Sequence, residues 1–243
     1  MRLVADIETN GLLRQAEPHI HCLVTRNLDT GVVITYDDTK NSVVNGVNIL
    51  MEADEVWGHN WIGFDEQFIR ECFPYYQPSG ITRDTLILSR LFMTDMLDRD
   101  FRARPANMPP NLYGRHSLES WGYRLGCLKS EFGKTTDWSE YTPEMAEYCR
   151  QDVEVSAKLY EVFAPKLEQY KDCIRTEHCL AEIMSYQEAS GWDFDVAEAH
   201  KLESKLRTEL DALSDEMRST FAFVDGGKFT PKRPNQSRGY VAG

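Results

Sequence analysis

The chain has 243 residues, of which 42% are hydrophobic and 27% charged, a balance typical of globular proteins rather than of disordered or fibrous ones. Its formal net charge of −12 argues against a protein that binds nucleic acid through a broadly basic surface, because phosphate contacts need Lys and Arg. No apolar run has the length of a membrane span, and Asp6 comes too early for a signal peptide, so we expect a cytoplasmic protein without membrane association.

The first part of the chain reads mainly as strands. Residues 3–8 predict a short opening strand. Two β-branched runs, residues 20–25 and 32–36, flank a segment ending in Asp29-Thr30-Gly31, which is typical of a β-hairpin. After them we predict a helix at 47–53, a buried strand at 55–58 and helices at 65–72 and 84–92.

The later part reads as helices. Ser117 and Gly126 are a cap and a stop for a short helix at 118–125. Thr142-Pro143 is a strong start signal for a helix that runs to about Phe163. Two more helical stretches, 170–189 and 195–221, are separated by Ser190-Gly191-Trp192. This order predicts an α/β core with a helical C-terminal extension.

Cysteine, histidine and arginine patterns leave several readings open. The six cysteines include no CxxC pair, so we expect reduced thiols, although Cys173, His178 and Cys179 are grouped closely enough to consider zinc. His19 and His21 fit one face of a strand and are another candidate metal pair. Four arginines flank the loop 105–110 and predict either a solvated loop or a guide for a single strand: Arg99, Arg102, Arg104 and Arg115. The tail 226–243 reads as a flexible basic segment.

The carboxylates of the opening strand are the first candidate site. Asp6 and Glu8 are two residues apart, so on a strand their side chains leave the same face. Two like charges held together repel one another unless a cation neutralises them. A D-x-E pair can also be two solvated acids, and the pair alone does not decide between these interpretations.

Two other places carry acids in a similar setting. Tyr148 and Asp152 are four residues apart in the predicted helix and share a face. Asp65 follows Asn60 and Phe64 in a segment that leaves a strand and enters a helix, where an aspartate can also be a simple helix cap.

Taken together, these pieces resemble a known family. The strand D-x-E, the N-x3-F-D segment and the helical Y-x3-D resemble the three motifs of the DEDD exonuclease superfamily, in the expected order. The tyrosine subclass is indicated, because Glu147 stands where the histidine subclass has its histidine.

Further segments narrow the resemblance. Residues 84–91 and 114–126 are similar to the N-terminal 3′→5′ proofreading domain of bacteriophage family A DNA polymerases, most of all the thioredoxin-dependent replicases of short-tailed phages. The resemblance implies a ribonuclease H-like fold, with a central mixed sheet flanked by helices, over residues 1–190. Residues 191–243 would then be a helical linker and basic tail leading into a polymerase domain that the sequence lacks, so we expect no polymerase activity from a truncated or separately encoded exonuclease half.

The resemblance also implies a mechanism. Four carboxylates would hold two divalent cations, Mg²⁺ or Mn²⁺: Asp6, Glu8, Asp65 and Asp152. Hard cations of this kind prefer such oxygen ligands. Tyr148 would orient the attacking water. The single-stranded or frayed 3′ end of DNA would contact Thr9, Leu12, Asn60 and Phe64, although Phe64 also suits a core position and Thr9 a turn cap.

Two other functions stay open at this point. One is an RNA-trimming 3′→5′ exonuclease, because the same metal site does not distinguish DNA from RNA. The other is a non-catalytic module that binds a separate polymerase chain through the helical extension.

Overall fold

The computed structural model describes residues 1–37, 42–127 and 138–221. The chain divides into two compact units, Met1–Ser190 and Gly191–Gly243. The predicted basic tail lies outside the described residues.

The first unit is built on a five-stranded mixed sheet of order β3-β2-β1-β4-β5. Its strands are β1 (Arg2–Thr9), β2 (Ile20–Asn27), β3 (Val33–Tyr36), β4 (Glu55–Gly58) and β5 (Ile81–Asp84). The strands β2 and β3 form the predicted hairpin, and β2 also pairs antiparallel with β1. On the other side, β4 pairs parallel with β1, and β5 pairs parallel with β4. With helices on both faces, this sheet confirms the predicted α/β class with a central mixed sheet flanked by helices.

The helices of the first unit are numbered in chain order. They are α1 (Val43–Glu52), α2 (Asp65–Cys72), α3 (Thr85–Phe92), α4 (Met96–Ala103), α5 (Leu118–Arg124), α6 (Pro143–Phe163) and α7 (Lys171–Ser190). Short 3-10 turns occupy Pro110–Leu112 and Ala164–Lys166. Among the helices of the described ranges, none combines the length and apolarity that crossing a bilayer requires.

Two predictions about these elements were wrong. The strand β5 was not predicted, and Asp84, assigned to a helix, ends that strand and caps α3 through hydrogen bonds from Leu86 and Ile87. The helix α4 was not predicted either: Arg99 and Arg102, expected in a solvated loop or a strand guide, lie within its eight residues. Both elements are short, with four and eight residues, so each offers only a brief local pattern.

The alternation of side chains along β1 fixes where its acids point. Leu3, Ala5 and Ile7 enter one hydrophobic cluster together with residues of α1 and α2. Val4 faces the opposite side, into a second cluster with residues of α5 and α6. Because side chains alternate along a strand, Asp6 and Glu8 lie on the same face as Val4, under α6, which packs across β1 and β2.

The sheet is staggered beside β1. The parallel strand β4 pairs with Arg2 to Val4 only, while β2 pairs with β1 as far as Thr9. The second half of β1 is therefore paired on one side and open toward the segment that follows β4. This opening lies beside Asp6 and Glu8.

The second unit contains α8 (Val196–Thr220), a helix of 25 residues. The side chain of Asp195 caps it by accepting a hydrogen bond from the Glu198 backbone N–H, as an N-terminal aspartate commonly does. Among the described residues of α8, none is buried.

Candidate active site

Asp6 and Glu8 lie on β1 where it pairs with β2, and the register of this pairing shifts directly after Glu8. Asp6 is half-buried and Glu8 is 9% exposed, so neither is a freely solvated surface acid. Opposite Glu8 on β2 stands Cys22, and cross-strand neighbours share a face. The D-x-E pair therefore belongs to a buried polar patch beneath α6.

Asp65 approaches the same strand from its open edge. It begins α2 and is 4% exposed, and its Oδ1 accepts a hydrogen bond from the Ile7 backbone N–H at 3.2 Å. Burial raises the pKa of Asp65 well above its usual value, and the nearby negative charge of Asp6 raises it further. Two carboxylates from distant parts of the sequence thus meet at β1, and a cation between them would relieve both penalties.

The helix α6 supplies the third part of the site. Pro143 is its first residue, as the start signal predicted. Asp152 is 5% exposed, and Tyr148 is half-buried with its ring centroid 6.3 Å from that of Trp138. Both side chains belong to a helix that packs on β1 and β2.

Cys149 is a member of the site that the sequence reasoning missed. Its thiol donates to the Asp6 backbone carbonyl at 3.2 Å and lies 3.6 Å from Asp6 Oδ2. Burial, more than any neighbour, raises the pKa of this thiol well above its usual value. The available signal was its place three residues before Asp152, on the same side of the helix.

Ligand atoms of Asp6, Glu8 and Cys149 all lie within 4.8 Å of one another. In the described ranges, no other set of three or more His, Cys, Asp or Glu side chains has its ligand atoms this close together. Asp65 and Asp152 therefore lie outside this 4.8 Å group. The carboxylates suit a hard divalent cation, since Mg²⁺ and Mn²⁺ prefer oxygen ligands. The buried oxygen donors therefore fit the metal that the motifs imply, and the sulfur is an additional donor.

Asp84 organises the loop that carries Asn60. Its Oδ1 accepts from the backbone N–H groups of Asn60 at 3.0 Å and Leu86 at 2.8 Å, and its Oδ2 accepts from Ile62 at 3.1 Å. Burial nevertheless raises the pKa of Asp84, because desolvation outweighs these stabilising bonds. Its own backbone N–H donates to His178 Nε2 at 2.9 Å. This carboxylate therefore holds the polypeptide in place through its bonds to backbone N–H groups.

The four predicted substrate contacts fall into different settings. Thr9 is buried and its hydroxyl donates to the Gly11 carbonyl at 2.8 Å, which is the role of a turn cap. Leu12 is 77% exposed and available to a ligand. Asn60 is exposed with a positive φ of 61°, while Phe64 packs against Phe68 and the core.

The other metal candidates do not assemble. His178 is buried and both its ring nitrogens have partners, the Ile174 carbonyl and the Asp84 N–H, whereas Cys173 and Cys179 are exposed. The rings of His19 and His21 are in contact at 5.2 Å, and His21 Nε2 is 2.8 Å from the Trp138 carbonyl oxygen.

The basic segment is also partly accounted for. Arg99 and Arg102 form ion pairs with Asp95 on the exposed side of α4, which favours the solvated reading for these two.

Comparison with known proteins agrees with the motifs. No family model matches the chain. The chain is 27% identical over 275 residues to the DNA-directed DNA polymerase of Escherichia phage T7 and to that of Enterobacteria phage T3. Each alignment covers 95% of this chain and 38% of the relative, so the chain spans little more than a third of the length of these curated relatives.

Solved structures give weaker similarities. Escherichia coli RNase D, an exoribonuclease involved in structured RNA processing, has a TM-score of 0.46 at 16% identity, covering 74% of this chain and 45% of that one. The family B DNA polymerase of Pyrobaculum calidifontis has a TM-score of 0.41 at 16% identity, covering 68% and 24%. The sequence alignments carry the relationship: along 95% of its length the chain is similar to part of these bacteriophage DNA polymerases, in agreement with its motifs.

Proposed function

We propose that the protein is a metal-dependent 3′→5′ exonuclease that hydrolyses the terminal phosphodiester bond of DNA and releases nucleoside 5′-monophosphates. The observation that carries this proposal is the meeting of Asp6, Glu8 and Asp65 at the open half of β1. Buried acids that repel one another are costly to a fold unless they bind a cation. The similarity to phage DNA polymerases along most of the chain supports DNA as the substrate.

In this proposal the carboxylates hold two divalent cations, Mg²⁺ or Mn²⁺, through Asp6, Glu8, Asp65 and Asp152. Bound cations would supply activation of water and neutralisation of charge on the phosphate and the departing 3′ oxygen. Tyr148, half-buried on α6, would position the attacking water with its phenol, which is a good hydrogen-bonding group and a poor base near neutral pH.

The 3′ end of the strand would lie against the residues at the rim of this cleft. Leu12, which is 77% exposed, is the side chain best placed to pack against a terminal base. Asn60 is exposed and would contact the approaching strand, while the buried Thr9 and the partly buried Phe64 would shape the cleft. An unpaired end enters such a cleft more easily than a paired one, because base pairs must first be broken. That difference would give the protein a proofreading role in phage replication, in the host cytoplasm.

The polymerase partner is part of the same proposal. The phage relatives are much longer than this chain, which aligns with 38% of each. A polymerase domain or subunit is therefore the partner we propose for the enzyme.

The test is degradation of 5′-labelled single-stranded DNA and RNA in Mg²⁺, in EDTA, and by an Asp6→Ala variant. We expect a ladder that shortens from the 3′ end of DNA and disappears in EDTA and in the variant. Faster shortening of RNA than of DNA would indicate RNA, in place of DNA, as the substrate. Intact polymers of both kinds would refute the enzyme and leave the non-catalytic module as the alternative.

A further inference from the structure

A sulfur atom lies directly at the carboxylate pair of β1. Cys149 Sγ contacts the Asp6 carbonyl at 3.2 Å and Asp6 Oδ2 at 3.6 Å. Its sulfur and the nearest oxygens of Asp6 and Glu8 all fall within 4.8 Å of one another. Metal ligands in a tetrahedral site are bound at about 2.0–2.3 Å, so small rotations of these side chains would bring all three atoms onto one ion.

A second thiol adjoins the first. Cys22 is the cross-strand neighbour of Glu8 on β2, so both side chains leave the sheet toward α6. Both residues are buried, and the neighbouring Cys22 thiol helps to raise the pKa of Cys149. The spacing shared by Asp6, Glu8 and Cys149 does not extend to Cys22, so Cys22 is a neighbour of this trio and not one of its donors.

We propose that Cys149, Asp6 and Glu8 form a thiolate–carboxylate site for a thiophilic divalent cation such as Zn²⁺ or Cd²⁺. Thiolates favour soft or borderline cations, whereas carboxylates and water alone favour Mg²⁺ and Mn²⁺. Each thiol that coordinates the ion releases its proton to solvent, as metal-binding cysteines do.

This site shares Asp6 and Glu8 with the proposed exonuclease. Occupation by a thiophilic ion draws both carboxylates toward the Cys149 sulfur and away from the arrangement that hard cations need. The ion is therefore an inhibitor of the proposed hydrolysis. Binding itself does not depend on that activity, so it is measured separately.

Cadmium is the direct probe, because a cadmium–thiolate bond gives an ultraviolet charge-transfer band that carboxylates do not give. The full chain is titrated with Cd²⁺ after removal of its two exposed thiols by Cys173→Ala and Cys179→Ala, with a non-thiol reductant present. Cys149→Ala is then added to this background. Excess Mg²⁺ is included in a parallel titration to test competition for the shared carboxylates.

We expect the background protein to bind one Cd²⁺ with the thiolate band, and Cys149→Ala to lose the band and at least tenfold in affinity. Circular dichroism and the melting temperature verify folding, and Cys149→Ser replaces Cys149→Ala if the latter does not fold. A band of full intensity without Cys149, or no band in the background protein, overturns the site. A band in a protein that hydrolyses no DNA refutes the proposed function alone, while hydrolysis without a band refutes this inference alone.

Discussion

Asp65 and Asp84 are two buried aspartates near the ends of neighbouring parallel strands, and they do different things. Asp84 receives hydrogen bonds from the backbone at both its oxygens, which fixes the turn after β4 and caps α3. Asp65 receives one from Ile7 and lies close enough to Asp6 for that charge to raise its pKa. Burial raises both pKa values, so a shifted pKa alone does not identify a functional acid.

What separates the two carboxylates is the neighbour that each one faces. Backbone donors point at Asp84 from its own turn, and such an acid stabilises the fold. Another acid faces Asp65, and a cation bound between the two would neutralise their charges. The contrast between these two regions can be tested by matched isosteric substitutions.

The largest effect is expected for Asp65→Asn. An amide keeps the hydrogen bond from Ile7 but loses the negative charge, so exonuclease activity should fall at least about 100-fold. The free energy of unfolding should stay within about 1 kcal/mol, since a buried charge near Asp6 is removed. Initial rates on labelled DNA and urea unfolding measure the two quantities. Equal loss of stability and activity would erase the distinction drawn between the two aspartates.

Asp84→Asn should show the opposite order. An amide has one acceptor oxygen, whereas both oxygens of the carboxylate accept hydrogen bonds from backbone N–H groups. In the variant one of these N–H groups faces the amide NH₂ and loses its hydrogen bond, which costs about 1–3 kcal/mol of unfolding free energy. We expect the melting temperature to fall by several degrees, and activity to fall less than in Asp65→Asn. Differential scanning calorimetry on both variants provides the matched comparison. A melting temperature equal to that of the parent would show that Asp84 does not anchor its turn.

Acidification should weaken the Asp84 region through His178. Burial lowers the pKa of His178 to about 4 from an ordinary 6.5, so the unfolded chain binds a proton that the folded one refuses. This contribution to stability is complete above about pH 6.5, diminishes as the pH falls, and is lost near pH 4. The decrease between pH 7 and pH 5 should be about 2 kcal/mol.

The pH effect is measured by urea unfolding of the parent and of His178→Gln, which keeps polar groups at this position without an imidazole. The variant should be less stable at pH 7 and should lose less stability between pH 7 and pH 5. Identical slopes in the two proteins would assign the pH dependence to other groups.

The smallest effect is expected for Asn60→Gly. Asn60 has a φ of 61°, a conformation that glycine adopts without strain, so the free energy of unfolding should change by less than about 1 kcal/mol. If its side chain contacts the DNA strand as proposed, kcat/KM should fall about tenfold with the chemistry otherwise intact. Steady-state kinetics on single-stranded DNA decide this, with Asp84→Asn as the comparison for a disturbed loop. Unchanged kinetics would restrict the role of Asn60 to its backbone.

Much of the fold follows from local sequence signals. The start at Thr142-Pro143 and the end at Phe163 predicted α6 because proline at the first turn and the following Pro165 are local determinants. The strand β5 was missed because Ile81–Asp84 has four residues, and its pairing with β4 is a long-range property. Short edge elements depend on neighbours that the local pattern does not contain.

The site likewise has features set by local sequence and features set by long-range packing. Spacing along a strand places Asp6 and Glu8 on one face, and that is a local property. The approach of Cys149 to Asp6 depends on how α6 crosses β1, which neither segment specifies alone. The anchoring role of Asp84 was missed for the same reason, since its donors include residues of the preceding turn, 22 and 24 positions away.

The unequal length of the strands beside β1 has a consequence for protein engineering. Because β4 stops pairing at Val4, the N–H of Ile7 is left for a side chain instead of a backbone carbonyl. Extending β4 by one or two pairs would give a more regular sheet and would expel Asp65 from its position. A redesign aimed only at maximal regularity would therefore remove the proposed site, and any thermostabilised version of this domain should preserve the short strand.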